Sequence, residues 1–174
     1  MLTVFILAND DAKALTRTLN ALVGATVDGL VRDVVMLGEP DNTTASILAD
    51  DAGCTLIAPT QFATAVQSAK GDWLLLLEGG ALLEQNWAEA ASNHIQMQGG
   101  AAHFTRSPLA PRTLLKRLFQ RERPLALGLL ISKHAALSLG GAAISSPENL
   151  AKAAKPKPIS AALRPASNVH PSAA

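Results

Sequence analysis

The chain has 174 residues and a mass of 18.1 kDa, enough for one domain that buries a core without disulfide staples. Its 48% hydrophobic and 17% charged residues exclude a disordered chain, its lone Cys54 excludes an internal disulfide and a Cys-based zinc site, and 3% aromatics with no tyrosine exclude a stacking platform for nucleic acid. The net charge of +1 hides a polarity, because residues 1–105 carry four basic and twelve acidic side chains (net −8) and residues 106–174 carry eleven and two (net +9).

Residues 2–8 are strand formers and end at Asn9-Asp10-Asp11, capping residues for a helix entering at Ala12. This opening run has no basic start and is too short for a secretory core. The apolar runs at residues 74–77 and 125–131 fall far below the roughly 20 residues that span lipid. A reduced, cytoplasmic protein is the expectation. The first helix should bury Leu15, Leu19, Leu22 and Val23 and stop near Gly24. Val31 and residues 34–37 predict a second buried strand, closed by Gly38-Glu39-Pro40-Asp41. A helix over 44–51 should exit at Gly53, and residues 54–58 read as a third strand closed by Pro59. A weaker helix over 61–69 ends at Lys70-Gly71-Asp72. Trp73-Leu74-Leu75-Leu76-Leu77 is the fourth strand, and Glu78-Gly79-Gly80 the loop after it.

Further on, residues 85–98 predict a helix that buries Trp87, Ala91, Ile95 and Met97, and residues 101–105 a strand. Pro111 opens a helix with the stripe Leu114, Leu115, Leu118 and Phe119, and Lys116, Arg117, Arg121 and Arg123 lie on its other side. Residues 128–132 read as a strand, followed by a short helix to Leu139 and a stop at Gly140-Gly141. Residues 1–150 are thus expected to form the α/β domain, and residues 151–174 a flexible tail rich in Lys, Pro, Ala and Ser.

Continuous apolar strands are covered on both faces, so the pattern predicts an α/β three-layer sandwich, a mostly parallel central sheet with helices on both sides. Crossovers should be right-handed, and ligands in such sheets bind beyond the carboxyl ends of the strands. The loops at residues 9–11, 38–43, 59–61 and 78–80 are therefore the places to inspect. No G-x-S-x-G, P-loop or G-x-G-x-x-G is present. His94, His103, His134 and His170 lack the spacing of a metal pair.

This order of pieces resembles the family 2 glycosyltransferases, over roughly residues 2–141. Val4-Phe5-Ile6-Leu7-Ala8-Asn9-Asp10 looks like the opening strand and polar loop of that family. Val34-Val35-Met36-Leu37-Gly38-Glu39-Pro40-Asp41-Asn42-Thr43 resembles its V-V-D-D-G-S-T-D-G-T stretch. Ala69-Lys70-Gly71-Asp72-Trp73-Leu74-Leu75-Leu76-Leu77 is similar to A-x-G-D-x-L-L-x-L, and residues 128–141 to the acceptor-side strand, helix and double glycine. The resemblance implies a GT-A-like fold, a nucleotide-sugar donor and Mg²⁺ or Mn²⁺ at a D-x-D motif. It also shows three departures. Met36 and Leu37 stand where the family has an acidic pair for base and ribose. Glu78-Gly79-Gly80 stands for D-x-D, with one carboxylate in place of two. Pro124-Leu125-Ala126-Leu127 carries no acceptor base.

By this resemblance Glu78 would hold the metal, and Asn9, Asp10, Asp41, Gln61, Gly79 and Gly80 would surround the donor. Each also has a plain structural reading. Asn9, Asp10 and Asp11 cap a helix, Asp41 orders its loop, Gln61 is an exposed polar residue and the glycines make a turn. Glu78 is then a loop residue capping the next turn, and the catalytic residues stay unassigned. Two functions follow: sugar transfer from a nucleotide-sugar to an acceptor, or a non-catalytic binding or partner module on the same scaffold. The basic stripe over residues 111–123 adds contact with an anionic membrane from its inner face, against ordinary docking on the sheet. Nucleic acid is not an expected partner, since the acidic body would repel phosphate.

Overall fold

The computed structural model describes residues 1–39, 41–110 and 123–166. In chain order the elements are β1 (Leu2–Leu7), α1 (Ala12–Val27), β2 (Val31–Leu37), α2 (Thr43–Ala52), β3 (Thr55–Ile57), α3 (Phe62–Ser68) and β4 (Trp73–Glu78). Then come β5 (Leu82–Leu83), α4 (Trp87–Gln96), β6 (Ala102–Arg106), β7 (Leu129–Ser132), α5 (Lys133–Ser138), α6 (Pro147–Ala154) and β8 (Lys157–Arg164). The strands form one eight-stranded sheet in the order β3-β2-β1-β4-β7-β6-β8-β5. β3, β2, β1 and β4 run parallel, as their helical crossovers require. β7 then pairs antiparallel with both β4 and β6, while β8 is parallel to β6 and antiparallel to β5.

Alternation along the strands divides the core into two layers. Leu2, Val4 and Ile6 of β1, with Trp73, Leu75 and Leu77 of β4, pack against α1, α2 and α4 through Leu15, Leu22, Ala45, Ala49 and Trp87. Phe5, Leu74 and Leu76 face the other way and meet Phe62 and Val66 of α3, Ala136 of α5 and Leu150 of α6. Phe5 and Phe62 touch edge to face, with ring centroids 5.4 Å apart. This is the expected three-layer arrangement, helices on both faces of the sheet. Burial on both sides explains why β1 and β4 read as unbroken apolar runs.

Local chemistry sets the ends of the elements. Asp11 caps α1 by accepting from the backbone N–H of Ala14 at 3.0 Å, and Asn42 caps α2 through Ala45 at 2.9 Å. Gly53 closes α2 in a left-handed conformation, φ 65°. Differences from the sequence reading have physical causes. Gly24 does not stop α1: a glycine lowers helix propensity without breaking the hydrogen-bond ladder, and the helix runs on to Val27. Val23 is exposed at 57% and Met97 at 82%, since Thr18 and Ala25 take the buried stripe of α1 and α4 ends at Gln96, before Met97.

The largest correction concerns the expected tail. Residues 151–154 finish α6, and residues 157–164 are a full sheet strand that buries Ala161 and Leu163 between β6 and β5. Small residues on one face and Lys157 and Pro158 at the start gave this strand the composition of a linker. Residues 167–174, and the basic stripe over 111–122, lie outside the described residues.

Candidate functional site

The parallel register aligns the carboxyl ends of four strands. Leu7 of β1 stands opposite Leu37 of β2 and Glu78 of β4, and Leu37 stands opposite Ile57 of β3. The turns that leave these ends therefore emerge along one rim, where open α/β sheets place their ligands. Side chains then tie neighbouring turns together. Asn9 donates from Nδ2 to the carbonyl of Gly79 at 2.8 Å, and its Oδ1 accepts from the backbone N–H of Asp11 at 3.0 Å. Asn42 donates from Nδ2 to Asp10 at 3.1 Å while its Oδ1 caps α2. Asn9, Asp10, Asp41, Glu78, Gly79 and Gly80 thus share the stretch of rim formed by β1, β2 and β4. Gln61 sits beyond β3, and its Oε1 accepts from the backbone N–H of Ala58 at 3.2 Å, closing that turn.

The two glycines have structural work of their own. A side chain at Gly79 would lie 2.7 Å from both the carbonyl oxygen of Leu7 and Leu15 Cδ2. Gly80 has φ 96°, a region that L side chains rarely adopt. Their amides are also engaged, that of Gly79 with the carbonyl of Leu7 at 2.8 Å and that of Gly80 with Thr18 Oγ1 at 2.9 Å. Thr18 is fully buried and donates to the carbonyl of Ala81 at 2.8 Å, so it clamps the turn onto α1. The sequence reading missed this role. The signal was present: a threonine on the Leu15–Leu22 stripe brings a hydroxyl into the core, where it needs a partner.

Glu78 is the last residue of β4 and is 8% exposed. Its Oε2 lies 2.7 Å from a terminal guanidinium nitrogen of Arg123. The same nitrogen of Arg123 stands 3.4 Å from the carbonyl of Ala166, which in turn abuts Gly80. Side-chain exposure is 11% for Glu78 and 48% for Arg123, so the carboxylate is the inner partner and the cation the outer one. A divalent ion does not fit this corner. Glu78 is paired with Arg123, Gly79 and Gly80 bring no side-chain ligand, and no group of three or more His, Cys, Asp or Glu among the described residues is placed to hold an ion.

Met36 and Leu37, which the resemblance sets against an acidic pair, are core residues. Met36 is fully buried on the α1 side, and Leu37, 3% exposed, is buried on the α3 side. They extend β2 by two paired residues and reach no open surface. Leu125 and Ala126, in the stretch where a base would stand, are buried as well. A separate cavity of about 600 Å³ opens at the other end of α1, lined in part by Val23, Val27, Val31, Leu48 and Cys54. Burial pushes the Cys54 thiol up, and its half-buried side chain packs against the α1 side of the core.

No protein-family model matches the chain, and no curated protein matches it in sequence. Solved structures do match in fold. Mannosyl-3-phosphoglycerate synthase from Rubrobacter xylanophilus aligns with a TM-score of 0.59 at 12% identity, over 91% of this chain and 65% of that one. Glucosyl-3-phosphoglycerate synthase from Mycobacterium tuberculosis, in complex with Mn²⁺, UDP and glucosyl-3-phosphoglycerate, aligns at 0.60 and 16% identity over 87% and 63%. S. aureus TarS 1-349 aligns at 0.55 and 15% identity over 79% and 48%, and another structure of it holds UDP-GlcNAc. The chain therefore spans less than two thirds of each of these three. The fold they share with it is GT-A.

Proposed function

We propose that the chain binds a nucleotide-sugar at the carboxyl rim of β1, β2 and β4 and transfers the sugar to an acceptor. One observation carries this reading. The strand ends Leu7, Leu37 and Glu78 stand in register, and Asn9, Asp10 and Asn42 link the turns that follow them, within a fold whose solved relatives include complexes with UDP and UDP-sugars. Asp10 and Asp41 are exposed on these turns and can accept hydrogen bonds from ribose hydroxyls. The interlinked asparagines hold the turns in place before a ligand arrives, which lowers the ordering cost of binding. Gln61, beyond β3, would meet the outer part of the donor. Gly79 and Gly80 would offer the donor a close backbone surface, with both amides already engaged. Glu78, the carboxylate that would hold Mg²⁺ or Mn²⁺, is paired with Arg123 instead.

A second reading, a non-catalytic binding or partner module on the same scaffold, is favoured by the buried Met36 and Leu37 and by the apolar 124–127 stretch. Calorimetric titration of the full chain with UDP- and GDP-sugars, paired with an assay for released sugar, separates the two. Saturable heat with sugar release is the expected result. Saturable heat without release selects the binding module, and no heat with any donor contradicts both. We also propose, from the sequence, a cytoplasmic setting with the basic stripe over residues 111–123 against an anionic membrane, Arg123 excepted because it pairs with Glu78. Among the described residues no helix is long and apolar enough to cross one.

A further inference from the structure

Resting on the nucleotide-binding reading, we propose that Arg123 is the cation that receives the diphosphate at this rim, so that nucleotide binding needs no divalent ion. A buried carboxylate at the mouth of a phosphate site repels its ligand unless a cation stands between them. That cation is Arg123, which lies 2.7 Å from the Oε2 of Glu78 and is the more exposed partner, 48% against 11%. A carboxylate holding an outward-facing cation is the electrostatic arrangement that a carboxylate-bound metal gives, with a guanidinium in the metal's place.

Donor accounting points the same way. The amides of Gly79 and Gly80, which could otherwise cradle phosphate oxygens, are engaged with Leu7 and Thr18. Arg123 has five N–H donors in a planar fork that matches phosphate oxygens. Among the described residues, its guanidinium contacts, with Glu78 and the carbonyl of Ala166, are both made by one terminal nitrogen. Those contacts also fix where the fork stands. Ala166 abuts Gly80, so the guanidinium is pinned beside the turn that follows β4, on the stretch of rim that holds Asn9 and Asp10. Glu78 is thus a positioning residue, which holds Arg123 through their ion pair. The chemical class of ligand is a nucleoside diphosphate or pyrophosphate group.

The test uses the full chain and two readouts. UDP, GDP and inorganic pyrophosphate are titrated calorimetrically in EDTA and again in Mn²⁺, against wild type, Arg123→Ala and Arg123→Lys, with circular dichroism to confirm that each variant is folded. Mn²⁺ alone is titrated and followed by electron paramagnetic resonance. The expected result is binding of equal strength in EDTA and Mn²⁺ and no loss of the free-ion signal. Arg123→Lys keeps the charge but loses the fork, and it should weaken binding by roughly tenfold, with Arg123→Ala weaker still. A requirement for Mn²⁺, or a bound-ion signal with the protein alone, overturns the inference and leaves the proposed function standing. Unchanged binding in both Arg123 variants overturns it too. Absence of binding under every condition contradicts the nucleotide reading itself, and the inference with it.

Discussion

At the scale of single residues, the glycines show how a motif position can be set by packing. Gly79 has no room for a methyl group, whereas Gly24, in the last turn of α1, has nothing within 4 Å of where one would sit. Gly79→Ala should therefore destabilise the fold by about 1–3 kcal/mol through forced shifts of Leu7 and Leu15. Gly24→Ala should stabilise it by about 0.5–1 kcal/mol through lost freedom of the unfolded chain. Urea unfolding midpoints check both, and opposite signs are the expected outcome. Met36 and Leu37 teach the related lesson. The family resemblance sets them against an acidic pair, and in the structure both side chains point into packed layers. The Arg123–Glu78 pair was not legible, because its partners are 45 positions apart and no local pattern links them.

At the scale of elements, legibility followed apolar density. β1 and β4 are almost wholly apolar and buried along their length, β2 is apolar over residues 34–37 after Arg32 and Asp33, and their turns carry capping residues, so both strand and boundary could be read. Two-residue β5 has no period to read. β8 alternates, but its inward residues Ala161 and Leu163 follow a Lys-Pro opening, and the alternation is hidden in a linker-like composition. Its place between β6 and β5 nevertheless makes it structural. Leu163 is fully buried and pairs with both Arg106 and Leu83. Leu163→Ala should cost about 2–5 kcal/mol of stability, far outside the range for a residue in a flexible tail, as thermal or urea unfolding would show.

At the scale of the whole molecule, the fold separates a polar rim from an apolar groove. Asparagines and carboxylates gather beyond the carboxyl ends of the parallel strands, while the cavity near Val23 and Cys54 lies at the opposite end of α1. The rim was legible because strand direction follows from the helical crossovers. The side chains that complete it were less so, since Asn42 and Arg123 gain their roles only when distant segments meet. The central claim is that this rim is the ligand site. Titration of ¹⁵N-labelled protein with UDP, followed by amide chemical shifts, tests it most directly. The account predicts saturable shifts concentrated at Asn9, Asp10, Asp41, Gly79, Gly80 and Arg123. Shifts centred on Val23, Val27 and Cys54, or none at saturating UDP, would contradict it.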